Sequence, residues 1–499
     1  MENKKKNLDN KLCENNGTDI RKSKNVNKPL IDACWENNKN KIINLINKGE
    51  DVNQEDENKN TPLIVSCEKD NLDIVKILIE NKANINKHNK EGDTPLIKAC
   101  KNDNFPIISY LIEKGAIINK QNKKDGTPLI IAFKNNNIKL VKYLIKKGAD
   151  IKIKNGNGET IITLACRNNN ENILKFIYEY FICKNNLIIN LLYIYNNQKS
   201  LSDSDLENII SEGKSELLKN VNIDYTDDNS PLFIAIKNKT DKSETIIHYL
   251  VDMEIDVNKR DKDGDTPLSL ECREKNPNEN IIKYFIENRA DVNLLGYNGT
   301  PLNHICLNKI INENILKILV ENNANVNDKS LIYACLNNHI NAVKYLVENG
   351  ADVNIIDDEQ DNRTALICAC IFGREDIIKY LVKNGADINQ SNGDGYTPLI
   401  ISVKVGIVSI IKYLVEEGGA DVNKAMNDGE TPLIIACKKE DESLIKYLIE
   451  KGADINQKNN EGDSPLILAK RSQNQKIIKL MRINKGIMRT LYICIAFIF

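Results

Sequence analysis

The chain has 499 residues, 41% of them hydrophobic, and a formal net charge of −1. The apolar fraction is ample for a buried core, and the near-neutral balance leaves no overall field to steer the chain onto nucleic acid or anionic lipid. Length alone would suggest three or four domains, but a strict internal period overrides that reading.

Residues 1–27 are rich in Lys and Asn and, counting Lys28, set eight Lys or Arg against four acids. They read as a solvated arm, with a basic localisation signal as the second reading. The start MENKKKNLDN leads into no apolar run and Glu2 leaves no myristoylation signal, so a secretory leader is not expected. Sequons at Asn16, Asn238, Asn298 and Asn362 therefore carry little weight.

From Lys28 onward one unit recurs. Its clearest copy, TPLIIACKKEDESLIKYLIEKGADINQKNNEGD, runs from Thr431 to Asp463. Copies begin at Lys28, Thr61, Thr94, Thr127, Thr160, Ser230, Thr266, Thr300, Lys329, Thr364, Thr397, Thr431 and Ser464. Most steps are 33 to 36 residues; one is 29 and one is 70. Thr before Pro predicts a capped helix whose first residue is the proline, which has no amide hydrogen to leave unsatisfied. Leu, Ala and Cys on one face make that helix short and buried. A polar bend leads to a second helix, LIKYLIEKG in the clearest copy, with apolar residues at three- and four-residue spacing. It ends at Gly49, Gly115, Gly148, Gly350, Gly385 or Gly452, and at Lys82, Arg289 or Asn323 elsewhere, where a left-handed residue is wanted. An extended A-D-V-N follows, often with Asp125–Gly126, Asp263–Gly264, Asp428–Gly429 or Asn298–Gly299, pairs that favour a tight hairpin turn.

The T-P-L start, the G-A-D-V-N loop and the 33-residue period resemble the ankyrin repeat family, over residues 28 to about 485. Tetratricopeptide repeats have a similar length but lack this Pro start and this loop. The resemblance implies an all-α fold with β-hairpin-like fingers, a solenoid of about 14 helix–turn–helix units in a curved, elongated stack. At roughly 10 Å per unit such a stack is about 140 Å long. One departure concerns the family's His after T-P-L, which here is Ile64, Ile97, Ile130, Ile400, Ile434 or Ile467. It predicts apolar packing between repeats in place of Thr–His hydrogen bonding.

The expected organisation is an arm (1–27), repeats one to five (28–184), a degenerate repeat or hinge (185–229), repeats seven to fourteen (230–485) and an apolar tail (486–499). The 29-residue step ahead of Lys329 clips a finger, the 35-residue step ahead of Thr364 lengthens one (IIDDEQDNR), and the 36-residue step adds residues between helices. Glu271 stands where other repeats place Ala or Ser, and is expected to pair with Arg273 or a neighbour, or to mark a helix rotated outward. The tail's apolar run is about half of the ~20 residues that cross a bilayer. It is expected to pack on the last repeat, a weak membrane contact or an artefact of the coding sequence's end being the other readings.

Nine cysteines (Cys34, Cys67, Cys100, Cys166, Cys272, Cys306, Cys335, Cys370 and Cys437) stand six residues after a repeat start. Stacked units roughly 8–10 Å apart cannot bridge them, so they read as buried, reduced side chains of a cytoplasmic protein. No metal-ligand spacing and no cofactor motif is present, and none is expected. KRDKDGD (Lys259–Asp265) and KNGNGET (Lys154–Thr160) read as turns, not as calcium or phosphate loops. No nucleophile, Walker or zinc-protease signature appears, so enzyme activity is not expected.

The resemblance implies a non-catalytic scaffold that binds protein partners on its concave face, with no small-molecule substrate, no nucleic acid and a monomeric state. The residue after the shared Cys is charged in most repeats, as Glu68, Lys101, Lys134, Arg167, Lys237, Arg273, Lys404 or Lys438. In three consecutive repeats it is Leu307, Leu336 and Ile371. With Tyr297, Phe372, Tyr396, Val405 and Met426 nearby in the pattern, these form a candidate partner patch, against the alternative of local packing. A membrane tether anchored by the tail and a substrate adaptor are the alternative functions. The resemblance also implies that Asn354 and Asn423 match a position sometimes hydroxylated in the family.

Overall fold

The computed structural model describes residues 28–124, 126–180 and 230–482. The arm at 1–27, the segment 185–229 read as degenerate repeat or hinge, and the tail at 486–499 lie outside the described residues. The chain divides into two compact units, Met1–Asn186 and Leu187–Phe499, each taken by itself below.

In both units the repeats that open with Thr start as the sequence predicts, whereas Lys28, Ser230 and Lys329 make no side-chain cap. The Thr61, Thr94, Thr364, Thr397 and Thr431 hydroxyls each accept the amide hydrogen three residues on, at 3.2 Å. This satisfies a donor that the first helical turn leaves free. The first helices are short, as in Pro62–Glu68, Pro95–Lys101 and Pro432–Lys438, and stack on one another along the unit. The second helices, such as Leu72–Glu80 and Glu442–Glu450, bury one stripe; in the former it is Ile74, Val75 and Leu78. Gly49, Gly115, Gly148, Gly350, Gly385 and Gly452 close them at φ between 87° and 93°. Lys82, Arg289 and Asn323 take the same left-handed turn at φ 66–67°, as expected.

Asparagine joins neighbouring repeats. Asn423 accepts from the Asp454 amide at 2.7 Å and donates to Gly452 O at 3.1 Å, both in the following repeat. Asn53, Asn119, Asn258, Asn293 and Asn354 make the same two-sided bridge. Each side-chain amide thereby satisfies one donor and one acceptor of a loop that has no sheet partner.

The fingers differ from the expected hairpins. Among the described residues, paired strands occur only at Ile356–Asp357 and Arg363–Thr364, in the lengthened finger, with one further bridge at Gly296 and Gly299. Elsewhere a side chain holds the finger: Asn89 Oδ1 accepts from the amides of Glu91 and Asp93, and Asp261 Oδ1 from those of Asp263 and Asp265. Gly126, Gly264 and Gly429 lie at positive φ there. KRDKDGD and KNGNGET are both such turns, the second organised by Asn155. At the clipped finger Asp328 substitutes, accepting from the Ser330 amide and from the Thr300 hydroxyl at 2.8 Å each.

The replacement of His by Ile is not uniform. Ile64, Ile97, Ile130, Ile400 and Ile434 are fully buried, whereas Ile467 in the last described repeat is partly exposed. Thr163, Ser269 and Asn303 occupy the same position with a polar side chain. Ser269 and Asn303 accept from the amides of Thr266 and Thr300 while those threonines cap Ser269 and Asn303 in return. Glu271 is also resolved differently from expectation. Its helix is not rotated outward: Leu270 and Cys272 are buried, and so is Glu271, whose carboxylate accepts the Asn278 amide at 2.7 Å. Arg273 pairs with Asp265 at 2.7 Å instead. Burial pushes the Glu271 carboxyl above its ordinary range, the Asn278 bond opposing it.

Candidate interaction surface

The residue seven after the repeat start, which follows the shared Cys in most repeats, ends most first helices, one residue past the buried face; in the Ser230 and Thr397 repeats the helix runs one residue further. The charge of that residue is engaged within the chain. Lys101 reaches Asp93 at 2.9 Å, Arg273 reaches Asp265 at 2.7 Å and Arg471 reaches Asp463 at 2.8 Å. Arg167 with Glu159 and Lys438 with Glu430 repeat the arrangement. In each, the acid directly precedes the repeat start and the base stands eight residues later, so the side chain folds back along two turns of its own helix to the finger. In the Thr397 repeat a tyrosine replaces the acid: Lys404 Nζ donates to the Tyr396 hydroxyl at 2.7 Å and lies 4.2 Å from the ring centroid. Lys237 joins the pattern from one repeat earlier, 3.6 Å from Asp261.

That row is interrupted over three repeats. Leu307, Leu336 and Ile371 stand in the basic position, and Gly299, Asp328 and Arg363 in the acidic one. Leu307 is exposed, and Leu336 and Ile371 are half-buried. Phe372, at 52% exposure, and Val405, at 47%, follow immediately in their repeats. Tyr297 is exposed under the Arg273 guanidinium, 5.8 Å from its ring. Tyr396 is half-buried and held by Lys404. Met426 does not belong with these: it is buried, its backbone closing a finger with Glu430 and Gly429, and its Cα lies against Gly395.

Sequence reasoning missed Leu295, Ile310, Ile356 and Val408, all exposed in the same unit. Ile310, at 77%, sits in the connection between helices Pro301–Leu307 and Glu313–Glu321. That connection is two residues longer than the 69–71 bend of the Thr61 repeat, as is the one from Glu274 to Asn278. The two long bends flank a shallow cleft lined by Lys275–Pro277 and Ile310–Asn314. The spacing from the shared Cys to the second helix carried this signal.

Around these positions the interior is inert. The ten described cysteines are buried. Burial raises the Cys370 and Cys437 thiols to about 12 and the Cys34 thiol to about 11, far from thiolate chemistry. Among the described residues no group of three His, Cys, Asp or Glu side chains could hold a metal, and no helix is long and apolar enough to cross a membrane.

A family model described as ankyrin repeats (3 copies) matches residues 30–122, 115–188, 206–296, 272–357, 331–426 and 419–488. No curated protein matches the chain.

Proposed function

The chain belongs to the ankyrin repeat family, and from that premise we propose that it is a non-catalytic scaffold holding a partner protein across the repeats from Thr300 to Val405. Ankyrin repeats are generally protein–protein interaction modules. The observation that carries the reading for this chain is the interruption of the finger-to-helix pairing. Where the pairing is intact, the first-helix ends present charges that are already matched; where it stops, Leu307, Leu336 and Ile371 stand on three successive repeats, with Phe372 beside Ile371 and Val405 beside Lys404 in the next repeat. Contiguous exposed apolar surface of this kind marks interaction sites, whereas single exposed apolar residues do not. The ten buried cysteines support a reducing compartment, the cytoplasm in this reading.

Affinity capture of the full chain followed by mass spectrometry tests the reading, alongside a Leu336→Glu/Phe372→Glu variant. Partners recovered by the wild type and lost by the folded variant support it. Recovery of the same partners by both contradicts it.

A further inference from the structure

The position directly after the interrupted row carries a second, independent pattern. Asn102 Nδ2 donates to Glu68 O at 2.9 Å in the preceding repeat. Asn135 donates to Cys100 O at 2.9 Å and Lys101 O at 3.3 Å, and Asn337 to Cys306 O at 3.2 Å and Leu307 O at 3.1 Å. Asn308 reaches Cys272 O and Glu274 O at 3.2 Å each. In the Thr431 repeat the donor is a lysine: Lys439 Nζ lies 3.2 Å from Val403 O and also bonds Lys404 O. In these five repeats the side chain thus caps carbonyls at the end of the preceding first helix, groups that the helix itself leaves unpaired and that carry the negative end of its dipole, whereas Lys69, Asn168, Glu274 and Ser472 make no such bond.

Phe372 and Val405 occupy that position in two consecutive repeats and have nothing to donate. The carbonyls they face belong to Leu336 and Ile371. The preceding carbonyls, Cys335 O and Cys370 O, accept from the amides of Asn338 and Gly373, but among the described residues none donates to Leu336 O or Ile371 O. Arg374 does not substitute: it leans on the Phe372 ring at 5.8 Å and its Nε is buried without an acceptor. The neighbouring finger is acidic, with Asp357, Asp358 and Glu359 sharing the single ammonium of Lys329.

We infer that Leu336 O and Ile371 O are a receptor for two lysine side chains of the partner protein, seated between Phe372 and Val405; this rests on the scaffold reading above. Lys439 shows in the same unit that an ammonium group fits such a carbonyl pair. Charge favours a cationic occupant through the negative ends of the two helices. Spacing restricts it further. Adjacent first helices lie roughly 10 Å apart. A polyproline II segment returns to the same face every third residue, about 9.3 Å on, whereas residues i and i+3 of a β-strand point to opposite faces. The partner segment is therefore extended, with lysines at i and i+3 and apolar or proline residues between.

The test uses the full chain and a fluorescent twelve-residue peptide with Lys at i and i+3 in a Pro/Leu background, against the same peptide with norleucine for lysine. Saturable binding is expected, weakened about tenfold or more by norleucine. Phe372→Asn/Val405→Asn restores the internal caps and is expected to weaken the lysine peptide by a similar factor. The same variant should melt at higher temperature than Phe372→Ala/Val405→Ala, which shows that the caps have formed. Equal binding of the two peptides, no binding of either, or undiminished binding by the recapped protein overturns the inference. If any of these occurs while partner capture still depends on Leu336 and Phe372, the scaffold reading stands and only the lysine receptor fails.

Discussion

Asn337 donates its side-chain amide to Leu307 O, 3.1 Å away in the preceding repeat, and one repeat later Phe372 stands in the same place. The first arrangement closes the surface on itself. The second leaves a carbonyl and an aromatic ring side by side. The Thr364 repeat also lacks the finger-to-helix pairing, with Arg363 and Ile371 in the paired positions, so both regularities fail there.

The asparagine bridges between loops are expected to be a main source of cohesion between repeats. Asn423→Ala removes an acceptor for the Asp454 amide and a donor to Gly452 O. The bonds are exposed, so the expected cost is about 0.5–1.5 kcal/mol, read as a lower urea midpoint. Asn423→Asp keeps the acceptor and should cost less. Equal stability of Asn423→Ala and wild type would show that water satisfies these loops as well as the amide does. Any hydroxylation at Asn354 or Asn423 would act on a side chain already bonded on both sides.

The threonine caps give a finer test. Thr431→Ala exposes the Ile434 amide, now bonded at 3.2 Å, and is expected to cost about 1 kcal/mol. Thr431→Ser retains the oxygen and should recover most of that loss in the same titration.

His304 provides a pH signature. It is buried, and burial lowers its pKa from 6.5 to about 4, with the Arg273 charge acting in the same direction and Asp265 opposing. The unfolded chain therefore binds the extra proton first as pH falls, so this contribution is full above pH 6.5 and is lost on descent towards pH 4. The full loss is on the order of 3 kcal/mol. Denaturant midpoints at pH 7 and pH 5 should differ more for the wild type than for His304→Gln. Parallel shifts would mean that the imidazole is not what titrates.

Glu271 has the opposite sign. Its folded pKa is raised, so the fold holds its proton more tightly than the unfolded chain does, and the charged form costs stability as pH rises through that range. Glu271→Gln keeps an oxygen for the Asn278 amide and removes the charge. It is expected to match or exceed wild-type stability at pH 7, with the advantage shrinking in acid; a clear loss at pH 7 would assign the carboxylate an ionic partner.

Much of this was legible in the sequence for a physical reason. Thr–Pro caps, glycine terminators and the apolar stripe act within one repeat, where spacing is a faithful guide. The pairing of Arg273 with Asp265, the burial of Glu271 against the Asn278 amide and the reach of Asn337 to Leu307 O depend on where a side chain folds back or crosses to a neighbour. Composition at one position could not show that the basic row was already neutralised. Met426 turns inward although it stands near exposed positions in sequence, and Ile310 stands in a bend two residues longer than that of the Thr61 repeat, which the step from one repeat start to the next does not reveal.

The most direct measurement of the scaffold reading is amide hydrogen exchange of the full chain, free and bound to a captured partner. Slowed exchange is expected around the first-helix ends and bends at residues 304–312, 333–340, 368–376 and 401–408, where Leu307, Leu336, Phe372 and Val405 stand. Protection confined to residues 28–180, with these segments exchanging as in the free chain, would contradict it.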